Sequence, residues 1–309
     1  QWTLQSAFGK GIGAQDGVWE CPDLFKLKVD GTDEEKWVLV CNINPGGPFG
    51  GSATQYFVGD FDGTTFKADT DASGNIPTKW MDFGKDHYAT VSWSNAPDNR
   101  RTLIGWMSNW QYAAEVPTMQ YRSANTLPRE ANLFKGEDGQ IYLASVPSPE
   151  LVGLRDKEVV AVRNKSVGKA PREYALPSNN DGVCEVLLDF DCKKADSVDI
   201  KIANKAGEFV TLRYDSSKKT LSVDRRKSGI VDFSQDFPTV TVAPTFENGT
   251  KVSLRIFIDR SSMEVFGNNG KFVMTNLLFP TKPYTSLTIK ANGGNAKIES
   301  LKVYSIKEI

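Results

Sequence analysis

Trp37-Val38-Leu39-Val40-Cys41-Asn42-Ile43, Asn44-Pro45-Gly46-Gly47-Pro48-Phe49-Gly50-Gly51 and Gln55-Tyr56-Phe57-Val58-Gly59-Asp60-Phe61 decide the fold class. The outer two segments are apolar, rich in β-branched and aromatic residues, and too short for helices. The eight residues between them hold two prolines and four glycines, which no regular element accommodates. The flanks therefore read as strands. Asp62-Gly63 then supplies a turn before Thr64-Thr65-Phe66.

The same grammar recurs downstream. His87 to Trp93 pairs in pattern with Thr102 to Met107 across the polar turn Asn95–Arg100. Leu127 to Phe134 and Gln140 to Val146 flank Glu137-Asp138-Gly139. Antiparallel hairpins with aromatic strands and long loops predict propeller blades or a sandwich. Near Pro147-Ser148-Pro149-Glu150-Leu151 the texture changes, with one helical turn expected. All seven tryptophans precede residue 111, and the second half shows short alternating runs separated by turns such as Asn268-Asn269-Gly270. That pattern predicts a two-sheet sandwich. The expectation is an all-β chain of two domains, residues 1–148 and 149–309.

Composition excludes several functions. A net charge of −1 with interspersed signs gives no nucleic-acid or membrane surface. No apolar run reaches the length of a membrane-spanning helix. A single histidine, His87, rules out a His-rich metal centre, and no metal or cofactor is expected. Cys184 and Cys192 stand in one extended run of roughly 26 Å, too long for a bridge. All four cysteines, with Cys21 and Cys41, read as buried thiols and not as a disulfide framework.

The stretch that reads as chemistry is Trp19-Glu20-Cys21-Pro22-Asp23-Leu24-Phe25, entered through the glycine-rich run Gly9 to Gly17. A glutamate set beside a large apolar ring has its pKa pushed up and becomes a candidate general acid. Followed by neither Lys-Ser/Thr nor a helix, the glycine run fails as a phosphate loop and reads as a tight turn beside the site. The aromatic first half suits stacking on sugar C–H faces, with core packing as the plainer role for most of its rings. Asn164-Lys-Ser and Asn248-Gly-Thr are glycosylation sequons that matter only in a glycosylating host.

Five elements in order extend this reading: Trp19 to Asp23, Gly84-Lys85-Asp86-His87-Tyr88-Ala89, Arg101 to Met107, Asn125-Thr126-Leu127-Pro128-Arg129-Glu130 and Ile258 to Phe266. Together they resemble glycoside hydrolase family 32, the invertases, inulinases and levanases. The resemblance implies a five-bladed β-propeller followed by a β-sandwich, and double displacement on a fructosyl unit with retention. It implies Glu20 as the catalytic acid/base, and Trp19, Asp86 and Trp106 as substrate-binding residues. His87 stands where the family has another aromatic and reads as a polar-tipped filler of that slot. Asp86 also admits a plainer reading, a loop aspartate capping a turn.

The family's Asn-Asp-Pro nucleophile motif and its Arg-Asp-Pro motif do not occur in these 309 residues. Gln1-Trp2-Thr3-Leu4 reads as the middle of a strand or turn. The expectation is therefore the C-terminal portion of such an enzyme, a partial propeller carrying the acid but not the nucleophile. Its implied partners are a fructan or sucrose-like carbohydrate, plus an upstream segment retained as a separate chain or self-association into a dimer that covers the open blade edges. The implied location is secreted, periplasmic or cell-surface. Two readings stand against it: a non-catalytic carbohydrate-binding protein of the same fold, and an inverting propeller glycosidase, which the Glu-Cys-Pro and Gly-Trp-Met elements disfavour.

Overall fold

The computed structural model describes residues 2–308. The first half contains β1 (Val18–Lys28), β2 (Glu35–Asn44), β3 (Ala53–Phe61), β4 (Phe66–Ala68) and β5 (Lys79–Trp80). It continues with β6 (Tyr88–Ser92), β7 (Thr102–Met107), β8 (Ala124–Asn125), β9 (Arg129–Lys135) and β10 (Ile141–Pro147). These strands make two antiparallel sheets, ordered β1-β2-β3-β4 with β5 on β3, and β10-β9-β7-β6 with β8 on β7. Each is a propeller blade. Phe25, Val38 and Tyr56 of the first blade pack on Leu103, Leu133 and Leu143 of the second in one buried cluster.

A six-residue 3-10 helix, Pro149–Leu154, leads into the second half, about two turns where one was expected. There follow β11 (Arg155–Val167), β12 (Arg172–Ala175), β13 (Cys184–Lys194), β14 (Ser197–Ala203), β15 (Phe209–Asp215) and β16 (Thr220–Lys227). The last six are β17 (Val240–Pro244), β18 (Lys251–Ile258), β19 (Ser262–Gly267), β20 (Phe272–Leu277), β21 (Ser286–Asn292) and β22 (Asn295–Ile306). They form two six-stranded sheets, β11-β22-β13-β18-β19-β20 and β12-β21-β14-β15-β16-β17. Strict alternation, as in Val198, Ile200 and Ile202 of β14, turns one face of each sheet into a common core.

Three expectations change here. Gln1 lies outside the described residues, and Trp2 to Leu4 form no strand and are exposed. All four cysteines are free as expected, but Cys21 is exposed and only the other three are buried. β1 itself escapes a pattern reading, because Cys21-Pro22 breaks its alternation.

The two halves are joined by two buried charge networks. Arg129 of β9 donates from Nη1 to Asp82 Oδ2 at 2.8 Å. Its Nη2 reaches Glu264 Oε2 of β19 and Thr275 Oγ1 of β20, both at 2.6 Å. Arg225 of β16 donates from Nη1 to Asp86 Oδ2 at 2.5 Å and from Nη2 to the Tyr112 hydroxyl at 2.8 Å. Tyr112 in turn donates to Asp86 Oδ1 at 2.5 Å, and the Leu277 amide donates to Asp86 Oδ2 at 2.7 Å. Burial alone would raise the Asp82 carboxyl, yet Arg129 beside it holds it below the usual carboxylate range.

Removing one partner of such a pair leaves an uncompensated buried charge, at a cost of about 3–5 kcal/mol. Arg225→Met is therefore expected to destabilise the full chain by about that amount in urea unfolding. Adding Asp86→Asn in the same chain should recover a large part of the loss. An Arg225→Met chain as stable as the parent would show that the pair does not hold the halves together.

Candidate active site

Glu20 sits on β1, opposite Asn42 of β2, at the last position before the register breaks. Pro22 has no N–H to give to a ladder, so the strand cannot run straight through it. The next pairing is Asp23 with Val40, so Cys21 and Pro22 together face only Cys41. This is a two-against-one bulge, and Cys21 lies in the left-handed region with φ 46°. The extra residue places Glu20, Asp23 and Phe25 on one face of β1, where a straight strand would have split Glu20 from the other two.

That face meets the second blade. Asp23 Oδ2 accepts the Ser92 amide at 2.8 Å. The Tyr88 hydroxyl donates to Glu20 Oε2. Tyr88 stands before a bulge too: it pairs with Trp106, Val91 pairs with Ile104, and Ala89 between them has φ 51°. Burial raises the Tyr88 phenol and the Glu20 carboxylate raises it further, so it remains a donor. Oε1 of Glu20 has no hydrogen bond among the described residues and is available to a ligand.

The tryptophans divide. Trp19 faces the other side of β1 from Glu20, stacks on Phe57 at 5.5 Å and gives its indole N–H to Ala14 O at 2.8 Å. It packs the N-terminal segment and puts no apolar surface beside Glu20, which is exposed. Gly13 is required at that crossing, since a Cβ there would lie 2.6 Å from Gln55 Oε1 and Phe57. Trp106 does reach the Glu20 side, its ring 6.3 Å from Tyr88 and 4.9 Å from Trp110. The exposed Trp110 extends this aromatic wall outward, and the sequence reading did not single it out.

Asn109 holds that wall in place. Its Nδ2 donates to Lys85 O at 2.9 Å and Gly50 O at 3.2 Å, and its Oδ1 accepts the Gln111 amide at 3.0 Å. One fully buried amide thus ties the Asn44–Gly51 loop, the approach to Tyr88 and the Trp110 turn together.

Asp86 lies elsewhere. It is fully buried with both carboxyl oxygens spent on Tyr112, Arg225 and Leu277, so it supports the site from below and offers no oxygen to a sugar. His87 does fill the aromatic slot: it is buried beside Thr90 Oγ1 at 3.2 Å and against Gly105, where a Cβ would come within 2.9 Å of its ring. Burial, then the nearby Arg129, bring its pKa down to about 3. Among the described residues no group of three or more His, Cys, Asp or Glu side chains is arranged to hold a metal ion.

His87 gives the fold an acid sensitivity. Its folded pKa lies below its unfolded value near 6.5, so the unfolded chain binds a proton that the folded chain refuses. This contribution to stability is complete above pH 6.5 and is lost as the pH falls toward 3, by about 1.4 kcal/mol per unit. His87→Phe should flatten the pH dependence of urea unfolding between pH 6.5 and 4 by close to one proton. An unchanged slope would show that His87 does not titrate this way.

Comparison with known proteins matches this chain along nearly its whole length. Residues 1–145 match the model described as the glycosyl hydrolases family 32 N-terminal domain, and residues 150–305 match the family 32 C-terminal model. A levanase of Bacillus subtilis is 40% identical over 318 residues, covering 100% of this chain and 46% of that protein. An extracellular exo-inulinase of Aspergillus ficuum is 38% identical, over 99% of this chain and 58% of its own length. The crystal structure of an exo-inulinase from Aspergillus awamori superposes with a TM-score of 0.90 at 35% identity, over 99% of this chain and 60% of that one. A β-fructofuranosidase from Schwanniomyces occidentalis, complexed with fructosyl-erythritol, gives 0.84 at 27% identity, over 99% and 63%. The chain thus spans about half the length of the curated relatives it matches.

Proposed function

The chain belongs to glycoside hydrolase family 32, and from that membership we propose that it carries the acid/base half of a retaining β-fructoside hydrolase, acting on fructans or sucrose. The family's N-terminal-domain model matches residues 1–145 and its C-terminal model residues 150–305, so the expected description as a C-terminal portion with the N-terminal part missing is not supported. We read residues 1–148 as propeller blades and 149–309 as the sandwich domain.

The observation that carries the proposal is the Glu20–Tyr88 pair. Tyr88 occupies one carboxyl oxygen of Glu20 and leaves Oε1 of this exposed residue free among the described residues, while the Trp106 ring packs on Tyr88. In this reading Oε1 carries the proton to the leaving-group oxygen, and the ionised Glu20 is then stabilised by the Tyr88 donor. In the second half-reaction the same oxygen takes a proton from water. Trp106 and Trp110 offer faces for the ring of the sugar.

Retention needs a second carboxylate roughly 5–5.5 Å from the acid. Asp23 is engaged by Ser92 and Asp86 is buried in the domain interface. With no Asn-Asp-Pro in the sequence, we assign the nucleophile to chain outside residues 1–309. The same observation supports a second reading, in which these residues bind a fructoside without cleaving it. Two of the relatives quoted above carry the words levanase and extracellular exo-inulinase, which supports a fructan substrate and a secreted or cell-surface location. Among the described residues no helix is long and apolar enough to cross a membrane.

The test uses a polypeptide joining this chain to a segment that bears the nucleophile motif. Glu20→Gln should lower kcat on an alkyl or sugar fructoside by about 10²–10⁴-fold with KM little changed. The loss should be much smaller for an aryl fructoside, whose acidic leaving group needs no proton. Equal losses on both substrates, or none, would remove Glu20 as the acid. Sugar binding without any hydrolysis in the parent would favour the binding-protein reading.

A further inference from the structure

We propose that the chain carries a second carbohydrate site, where the first blade, the second blade and the sandwich meet, that takes a neutral oligosaccharide. The proposal rests on the β-fructan reading for its ligand and on separate residues for its geometry.

The residues of this site are none of those around Glu20. Gln55 and Phe57 of β3 lie against Gly13 and the Trp19 ring, on the face turned away from Glu20. Tyr56 between them points to the opposite face, the one packed on the second blade. There it lines a crevice of about 210 Å³ together with Phe83, Tyr142, Phe246 and Lys79. Tyr142 and Phe246 stand 4.8 Å apart, one from each half of the chain. Phe246 has φ 56°, uncommon for a bulky side chain, and contacts with Phe83 and Phe134 hold its ring there. The volume suits one sugar ring and is below that of a drug-sized ligand.

A second depression of about 470 Å³ adjoins the crevice and shares Lys79 with it. Its lining holds four carboxylates and three ammonium groups, a near balance that favours neither an anion nor a cation. Asp69 and Asp71 each keep one carboxyl oxygen, Oδ2, without a hydrogen bond among the described residues. Carboxylates with a spare oxygen are good acceptors for sugar hydroxyls, and aromatic faces suit sugar C–H faces. Lys79 spans the junction, its ammonium 4.6 Å from the Tyr142 centroid and bonded to Ile141 O at 2.8 Å. An aromatic seat for one ring followed by a balanced polar trough for the next is the chemistry of a polymer-holding surface.

The experiment follows backbone amide shifts of the full chain titrated with β-2,1 and β-2,6 fructo-oligosaccharides of three or more units. Saturable shifts are expected at residues 78–80, 138–142 and 245–246, separately from those at 18–21, 88 and 106–110. Lys79→Met and Tyr142→Ala should each weaken the first set at least fivefold and leave the second set unchanged. Shifts confined to the second set would overturn this site and keep the fructoside reading of Glu20. Shifts at neither set would overturn both. Shifts at the first set that survive both substitutions would place the ligand elsewhere and also overturn the site.

Discussion

Two buried arginines determine how the halves of this chain meet. Arg129 reaches from a blade into the sandwich, and Arg225 reaches from the sandwich into the blades. Neither guanidinium is solvated, so each keeps its charge only because carboxylates and carbonyl or hydroxyl oxygens surround it. The segment between the two acidic partners, Asp82 to Asp86, is pinned at both ends to β20: the Thr275 amide donates to Asp82 and the Leu277 amide to Asp86. Two residues later the chain delivers Tyr88 to Glu20. The sandwich thus fixes the floor on which the candidate proton donor stands, although among the described residues none of its side chains hydrogen-bonds to Glu20.

On that floor, two local distortions make the site. Glu20 and Tyr88 each precede a residue in the left-handed region, and each strand then skips a pairing. Bulges bend a strand and re-aim its side chains. Here they bring an exposed carboxylate and a partly screened phenol together across two blades, with no strand crossing from one to the other. Strain of this kind costs of order 1–3 kcal/mol per residue and persists only where the surroundings over-determine it. Asp23 on Ser92, and Asn42 on both the amide and the carbonyl of Thr90, supply that restraint on either side of the Glu20–Tyr88 contact.

Much of the architecture was legible because burial writes itself as period two. The runs at Trp37 to Ile43 and Gln55 to Phe61, and the alternating second half, lie where the strands are. β1 was not legible as a strand, since a bulge at Cys21-Pro22 erases the alternation it would be read from. The same bulge exposes Cys21, which composition alone assigns to the core. Glu20 was found from its neighbours, but for an incomplete reason: Trp19 faces away, and the group on the carboxyl is Tyr88 from another blade, with Trp106 packed on Tyr88. Pairings across 68 residues leave no local signature.

Asp86 shows why motif membership and chemical role separate. An aspartate four residues from another, before an aromatic strand, reads equally as a ligand or as a turn cap. Its role depends on Arg225, 139 residues downstream, and no spacing rule connects the two. Once that guanidinium is in place, both oxygens of Asp86 are engaged, and what it positions is Tyr112 and the turn that carries Trp110. A carboxylate can thus belong to the most recognisable segment of a site and act entirely behind it.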